Sequence, residues 1–328
     1  MVAILSWSEL AESCGSAERA RTALRHGEWR RVLRDAYVVG NAADDSATRA
    51  AALRKVLPDD VALSHWSALW AFGLDVLPRN RDKQDLLDVT VPRARHLLAR
   101  PQIRTHCALL PEHELCELEG LLVVSPARSV VDVARTHGVI EGVAAGDAAL
   151  RAGLATPELV AEAVESARGL RWVTRARRVL PLLNARSESL MESRFRVGLL
   201  QEGSLTMEAQ RDLYDEDGRH CGRADLFLDG VAVEYDGRDS RLGKPRFTHD
   251  RRRGNAFADL AVEVRRFTGE DYYKVPMRQH VAEVRRALAL AGERRPRYLF
   301  GADTLPLPRL TPPLTVAGTR LLQARRTA

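Results

Sequence analysis

At 328 residues the chain exceeds what one average core encloses, and a hydrophobic content of 45% supplies apolar surface for two or three domains. The formal charge of +6 rests on far more Arg than Lys, which suits an anionic partner because guanidinium groups engage phosphates in a forked geometry. Cys14, Cys107, Cys116 and Cys221 form no CxxC pair, which speaks against a zinc ribbon or a disulfide framework and fits a reducing cytoplasm, and no leader or run of about 18 apolar residues indicates export or a membrane span.

Residues 1–44 predict a winged helix-turn-helix domain. Ser6 with Glu9 forms a capping box ahead of Leu10, Ser13-Cys14-Gly15 breaks the chain, and Ser16 caps a second helix running toward Gly27. Trp29–Leu33 and Ala36–Val39 flank Arg34-Asp35 as a hairpin, the wing. Such a unit lays its second helix in the major groove of double-stranded DNA while the ribbon follows the backbone. Arg21 and Arg25 share one helical face, and Arg30, Arg31 and Arg34 sit on the ribbon, so these five are the expected phosphate contacts. The competing interpretation is a solvated face balanced by Glu12, Glu18 and Glu28.

Residues 45–185 are expected to form a mostly helical middle domain. Asp60–Phe72 reads as a helix stopped by Gly73, Leu86–Val91 as a buried strand closed by Pro92, and Val143–Ala167 as two helices broken near Gly153–Pro157. His65, Trp66 and Trp70 recur at helical intervals and are assigned to the core. Arg168–Arg178 places five arginines around Trp172 on a helix, either a solvated face or a further DNA contact. The Pro- and Arg-rich segment 293–328 is expected to be a partly disordered tail.

Segment 186–292 carries the chemistry and reads helix, three strands, helix, strand, helix. Ser187–Gln201 is amphipathic through Met191, Phe195 and Leu199, with Glu192 either directed into a site or paired with Arg196 one turn on. Strands are expected at Glu208–Tyr214, Arg223–Leu228 and Val231–Asp236, the last two joined by Asp229-Gly230. A two-residue turn there pairs Leu228 with Val231, which would set Asp225 opposite Glu234 and Arg223 opposite Asp236 on one face. Two facing carboxylates repel unless a cation or proton sits between them, and Mg2+ takes one or two carboxylates plus water and phosphate oxygens. Phe247–Leu260, with Arg251, reads as a helix and Val262–Phe267 as a strand parallel to Val231–Asp236.

The strings MES, GRADLFLDGVAVEYDG, HDRRRGNAF and VRRFT occur in this order over the last third of the chain. Together they resemble the PD-(D/E)XK nuclease superfamily, in particular the group related to very-short-patch-repair endonucleases. The resemblance implies a restriction-endonuclease-like α/β domain with a mixed sheet, Asp225 and Glu234 as ligands of Mg2+ or Mn2+, and Glu192 as the acid on the first core helix. The sequence departs from the superfamily at Asp236, where a lysine is usual. Asp236 supplies no positive charge to the attacking water, leaving Lys244 or Arg251 as the cation. The N-terminal pattern GEWRRV through Tyr37-Val38, with SPARSVVD at 125–132, resembles AbiEi-type antitoxins, which implies DNA binding and a toxin partner.

The chain is thus an α/β multidomain protein for which the leading expectation is metal-dependent hydrolysis or nicking of DNA in defence or repair. The alternative is a non-catalytic regulator or antitoxin with a degenerate nuclease fold. A third interpretation makes Asp225 and Glu234 surface residues without chemistry.

Overall fold

The computed structural model describes residues 3–57, 61–76, 87–91, 103–236, 254–294 and 297–300. Among these the chain divides into two compact units, one comprising residues up to Val133 and Glu158–Gly169, the other Ala134–Pro157 and the chain from Leu170 onward. No helix of the described residues is long and apolar enough to cross a membrane.

The first unit opens with α1 (Trp7–Ser13), α2 (Ala17–Arg25) and the ribbon β1 (Trp29–Leu33) and β2 (Ala36–Val39). Ser6 and Glu9 close the expected capping box, and the Ser16 hydroxyl accepts from the Arg19 N–H. Asp35 takes a left-handed φ of 64° at the hairpin turn. The ribbon's base closes tightly: the Gly40 N–H donates to the Glu28 carbonyl at 2.7 Å, and a Cβ at Gly40 would lie 1.7 Å from the Gly27 carbonyl oxygen. Helix α3 (Ser46–Val56), capped by Asp45, packs on both ribbon strands.

The middle segment departs from the helical expectation. Strands β3 (Ala62–Leu63), β4 (Leu87–Val91), β5 (Ile103–Cys107), β6 (Leu115–Leu118) and β7 (Leu121–Val124) form a mixed sheet ordered β5-β4-β3-β7-β6. These runs are too short for periodicity to separate strand from buried helix. The helix expected over Asp60–Phe72 is α4 (His65–Ala71), because Ala62 and Leu63 pair with Thr90 and Val89. Gly73 ends it at a φ of 100°, as expected. Next, α5 (Pro126–His137) begins, and its buried Arg128 bonds Glu114 and Asp132.

Of the two helices expected from Val143 to Ala167, α6 (Val139–Arg151) lies in the second unit and α7 (Pro157–Ser166) in the first. In the second unit follow α8 (Val173–Arg177), α9 (Leu190–Gly203), β8 (Glu208–Tyr214), β9 (His220–Leu228), β10 (Val231–Asp236), a helical segment at 254–259, β11 (Glu263–Thr268), α10 (Gly269–Lys274), α11 (Met277–Gly292) and β12 (Leu299–Phe300). Their sheet runs β11-β10-β9-β8-β12, with β10 and β11 parallel as the crossover demands. One face buries Leu226, Val231, Val233 and Phe267 against Phe195 and Leu199 of α9 and Val281 and Val284 of α11. The other buries Leu213, Ala224, Phe227 and Ala232 against Phe257 and Leu260. Residues 297–300 of the expected disordered tail instead reach the sheet edge, where Leu299 and Phe300 pair with Tyr214 and Leu213. The mixed α/β class is as expected.

Candidate functional site

Two regions hold the residues singled out by sequence. On the N-terminal unit Arg21, Arg25 and Arg34 are exposed, and the guanidinium of Arg21 lies 5.8 Å from the Trp7 ring centroid. Arg19, which periodicity did not single out, is exposed on α2 as well. Arg30 is half-buried and donates to the Ala42 and Ala43 carbonyls at 3.0 and 3.2 Å, so it secures the segment after the wing. Arg31 is also half-buried, opposite Tyr37. Of the basic run at 168–178 only Val173–Arg177 is α-helical, and Arg171 and Arg175 lie over the half-exposed Trp172 ring, 4.8 and 4.2 Å from its centroid.

The second region forms where β8, β9 and β10 meet α9. The Asp229-Gly230 turn sets the expected register of Leu228 with Val231, Phe227 with Ala232 and Leu226 with Val233. The ladder ends there, one step short of Asp225 and Glu234. Here the Tyr235 N–H donates to the Asp225 side chain, and on β8, between the pairs Ala209–Leu226 and Arg211–Ala224, Gln210 has a left-handed φ of 54°. Ala209 and Leu213 are an even number of residues apart, yet they enter opposite core layers, as do Leu226 and Ala224. The alternation on which the sequence argument relied is therefore reset at Gln210 and Asp225.

That reset gathers polar groups beneath α9. The Ser189 hydroxyl caps this helix through the Glu192 N–H, and the Glu192 carboxylate accepts from the Glu188 N–H at 2.8 Å and from Gln210 Nε2 at 2.9 Å. The same amide lies 3.5 Å from Asp225 Oδ1, and Asp225 Oδ2 accepts the Tyr235 N–H at 2.9 Å. Burial, reinforced by the Asp225 charge, pushes the Glu192 carboxyl up to about 7. Glu234, only 1% exposed, faces Arg266 of β11 at 3.4 Å, its register partner in the parallel pair.

Several expected pairings are thereby corrected. Arg223 does not face Asp236; it bonds Asp212, its register partner on β8, at 2.8 Å and stands 4.0 Å from Glu188. Arg196 joins no pair with Glu192 and instead meets the buried Asp147 at 2.8 Å, together with the Ser193 hydroxyl and the Asn184 N–H. Asp236 ends β10 beside Thr268 of β11. Arg251 and Lys244 lie outside the described residues. Gln210 was missed altogether, since a glutamine inside an alternating strand gives no sign of its left-handed φ.

Glu192, Asp225 and Glu234 do not fall within one tight ligand cluster. Among the described residues the only group of three or more metal-type ligand atoms lying within 4.8 Å of one another is that of His65, Asp88 and His106, in the first unit. The oxygens near Asp225 still suit a hard divalent ion, which needs only one or two carboxylates with water completing its shell.

Residues 60–182 match the family described as AbiEi antitoxin C-terminal domain. An uncharacterized protein of Mycobacterium tuberculosis strain H37Rv and another of strain CDC 1551 are each 28% identical to this chain over 166 residues, which is 50% of this chain. The aligned region spans 61% of the length of these relatives. In its middle segment, then, the chain is similar to the C-terminal domain of AbiEi antitoxins.

Proposed function

We propose that the protein is an antitoxin-type, DNA-binding regulator, with a winged helix at 1–44, an antitoxin-like segment at 45–185, a nuclease-like segment at 186–292 and a tail at 293–328. It acts in the cytoplasm on double-stranded DNA and has a toxin protein as partner. The observation that carries this reading is the helix-turn-helix and ribbon with Arg21, Arg25 and Arg34 on its outside, directly preceding the antitoxin-like match. Each phosphate contact releases counterions, so removing one lowers the salt dependence of binding by about one unit of log–log slope. Fluorescence anisotropy with duplex DNA from its own promoter, across a salt series, tests this with Arg21→Ala, Arg25→Ala and Arg34→Ala. Unchanged affinity and slope in all three would refute the assignment.

A second reading, metal-dependent cleavage of DNA, is favoured by the convergence of Glu192, Gln210 and Asp225 under α9. In it Asp225 and Glu234 hold Mg2+ or Mn2+, which would polarise the phosphodiester and lower the pKa of bound water. Glu192, whose carboxyl is pushed up to about 7 by burial and by the Asp225 charge, would hold or release a proton near neutrality, while Gln210 orients both acids. Asp236 lies past Glu234 without the usual positive charge. Supercoiled plasmid with Mg2+ or Mn2+ distinguishes the readings: nicking lost in Asp225→Ala and Glu234→Ala supports the enzyme, and intact plasmid alongside tight DNA binding supports the regulator.

A further inference from the structure

In the first unit a helix start and two parallel strands bring two imidazoles and a carboxylate together. His65 opens α4, Asp88 lies on β4 and His106 on β5, with Thr90 beside His106 in register. His106 Nε2 and Asp88 Oδ1 are 2.8 Å apart, and the rings of His65 and His106 stack with centroids 3.8 Å apart and planes inclined by 23°. One ligand atom from each residue lies within 4.8 Å of the other two. We propose that His65, Asp88 and His106 bind a divalent first-row transition metal of the zinc class.

A histidine hydrogen-bonded to an aspartate needs no third member, yet here a second, buried imidazole, that of His65, is stacked on His106. Burying two polar side chains, His65 and Asp88, is costly unless they are engaged. The His65 backbone also takes a φ of 53°, a left-handed conformation uncommon for a side-chain-bearing residue and typical of positions held by their surroundings. Backbone bonds keep the parts in place: the Ser64 N–H donates to the Asp88 carbonyl and the Asp88 N–H to the Ser67 hydroxyl, each at 2.9 Å.

Two nitrogens and one carboxylate oxygen suit zinc and its neighbours better than Mg2+ or Ca2+, which take oxygen ligands. His65 Nδ1 is engaged by the Ser64 hydroxyl at 2.9 Å, the sort of outer contact that fixes the orientation of a ligating ring, so Nε2 is the nitrogen assigned to the ion. Because the two rings are stacked, one of them would turn about its Cβ–Cγ bond, a broad torsion, for both to reach one ion. Three protein ligands leave a fourth position for water or an anionic oxygen. His106 is half-buried, and Arg104 stands 3.5 Å from Asp88, a cation that suits an anionic fourth ligand.

The test is calorimetric titration of the chelator-treated full chain with Zn2+, paired with the visible spectrum of the Co2+ form and circular dichroism of each variant. One saturable equivalent is expected, with a Co2+ spectrum free of thiolate charge-transfer bands. His106→Ala and Asp88→Asn should each weaken it about tenfold or more while keeping the fold, and His113→Ala, at an exposed histidine outside the cluster, should bind as wild type. The proposal is overturned by the lack of a saturable equivalent, by thiolate bands, by wild-type affinity in both cluster variants, or by loss of the equivalent in His113→Ala. If His106→Ala is misfolded, Asp88→Asn alone decides.

Discussion

Replacing Glu192 by Gln removes an ionisation that the fold resists. The carboxyl is driven from 4.5 up to about 7, first by burial and then by the Asp225 charge, while hydrogen bonds from Glu188 and Gln210 only partly offset this. At about 1.4 kcal/mol for each tenfold change in acid dissociation, the displacement corresponds to roughly 3 kcal/mol. Below about pH 4.5 Glu192 is protonated in both folded and unfolded chains and costs nothing. Between about pH 4.5 and 7 the unfolded chain ionises while the folded one holds its proton, so stability falls as pH rises; above about pH 7 the penalty is complete. Glu192→Gln, which preserves an acceptor for Gln210, should therefore match wild type near pH 4.5 and exceed it by up to about 3 kcal/mol near pH 8. Urea denaturation followed by far-UV circular dichroism across this range measures the difference. A difference independent of pH, or a Gln variant less stable at about pH 8, would refute the electrostatic account. Asp225→Asn removes the second cause and should reduce the pH slope of the wild type, and under the metal reading saturating Mg2+ should reduce it too.

Two further perturbations probe the packing around both regions. Arg196→Ala leaves Asp147 buried with only the Ser193 hydroxyl and the Asn184 N–H, and breaking such a pair from one side should cost about 3–5 kcal/mol in the same denaturation assay. A loss below about 1 kcal/mol would show that the hydroxyl and amide suffice. Gly40→Ala forces a methyl against the Gly27 carbonyl, where contact would fall to 1.7 Å, so the ribbon's base cannot close as it does now. Duplex binding should drop at least tenfold with circular dichroism of the remaining helices intact, and binding equal to wild type would mean that the wing does not touch DNA.

Elements whose signals are local were legible in the sequence. The capping box at Ser6 and Glu9, the Ser16 cap, the Arg34-Asp35 and Asp229-Gly230 turns and the parallel pairing of β10 with β11 each follow from residues a few positions apart or from the handedness of a crossover. Glu192, Asp225 and Glu234 were singled out, and the structure brings Glu192 and Asp225 to one shared amide. His65 was assigned to a core aromatic stripe, since nothing near it in sequence announces Asp88 or His106.

What the sequence by itself determined is where helices begin, where hairpins turn and which faces are apolar, because capping, turn conformation and side-chain period act over one to four residues. Only the tertiary structure decided the five-stranded sheet of the middle segment, the partners of Arg196 and Arg223, the face on which Asp225 emerges and the meeting of His65 with Asp88 and His106. These depend on pairings between distant segments, and around Gln210 and Asp225 the alternation that any reading along a strand must assume is reset on both strands.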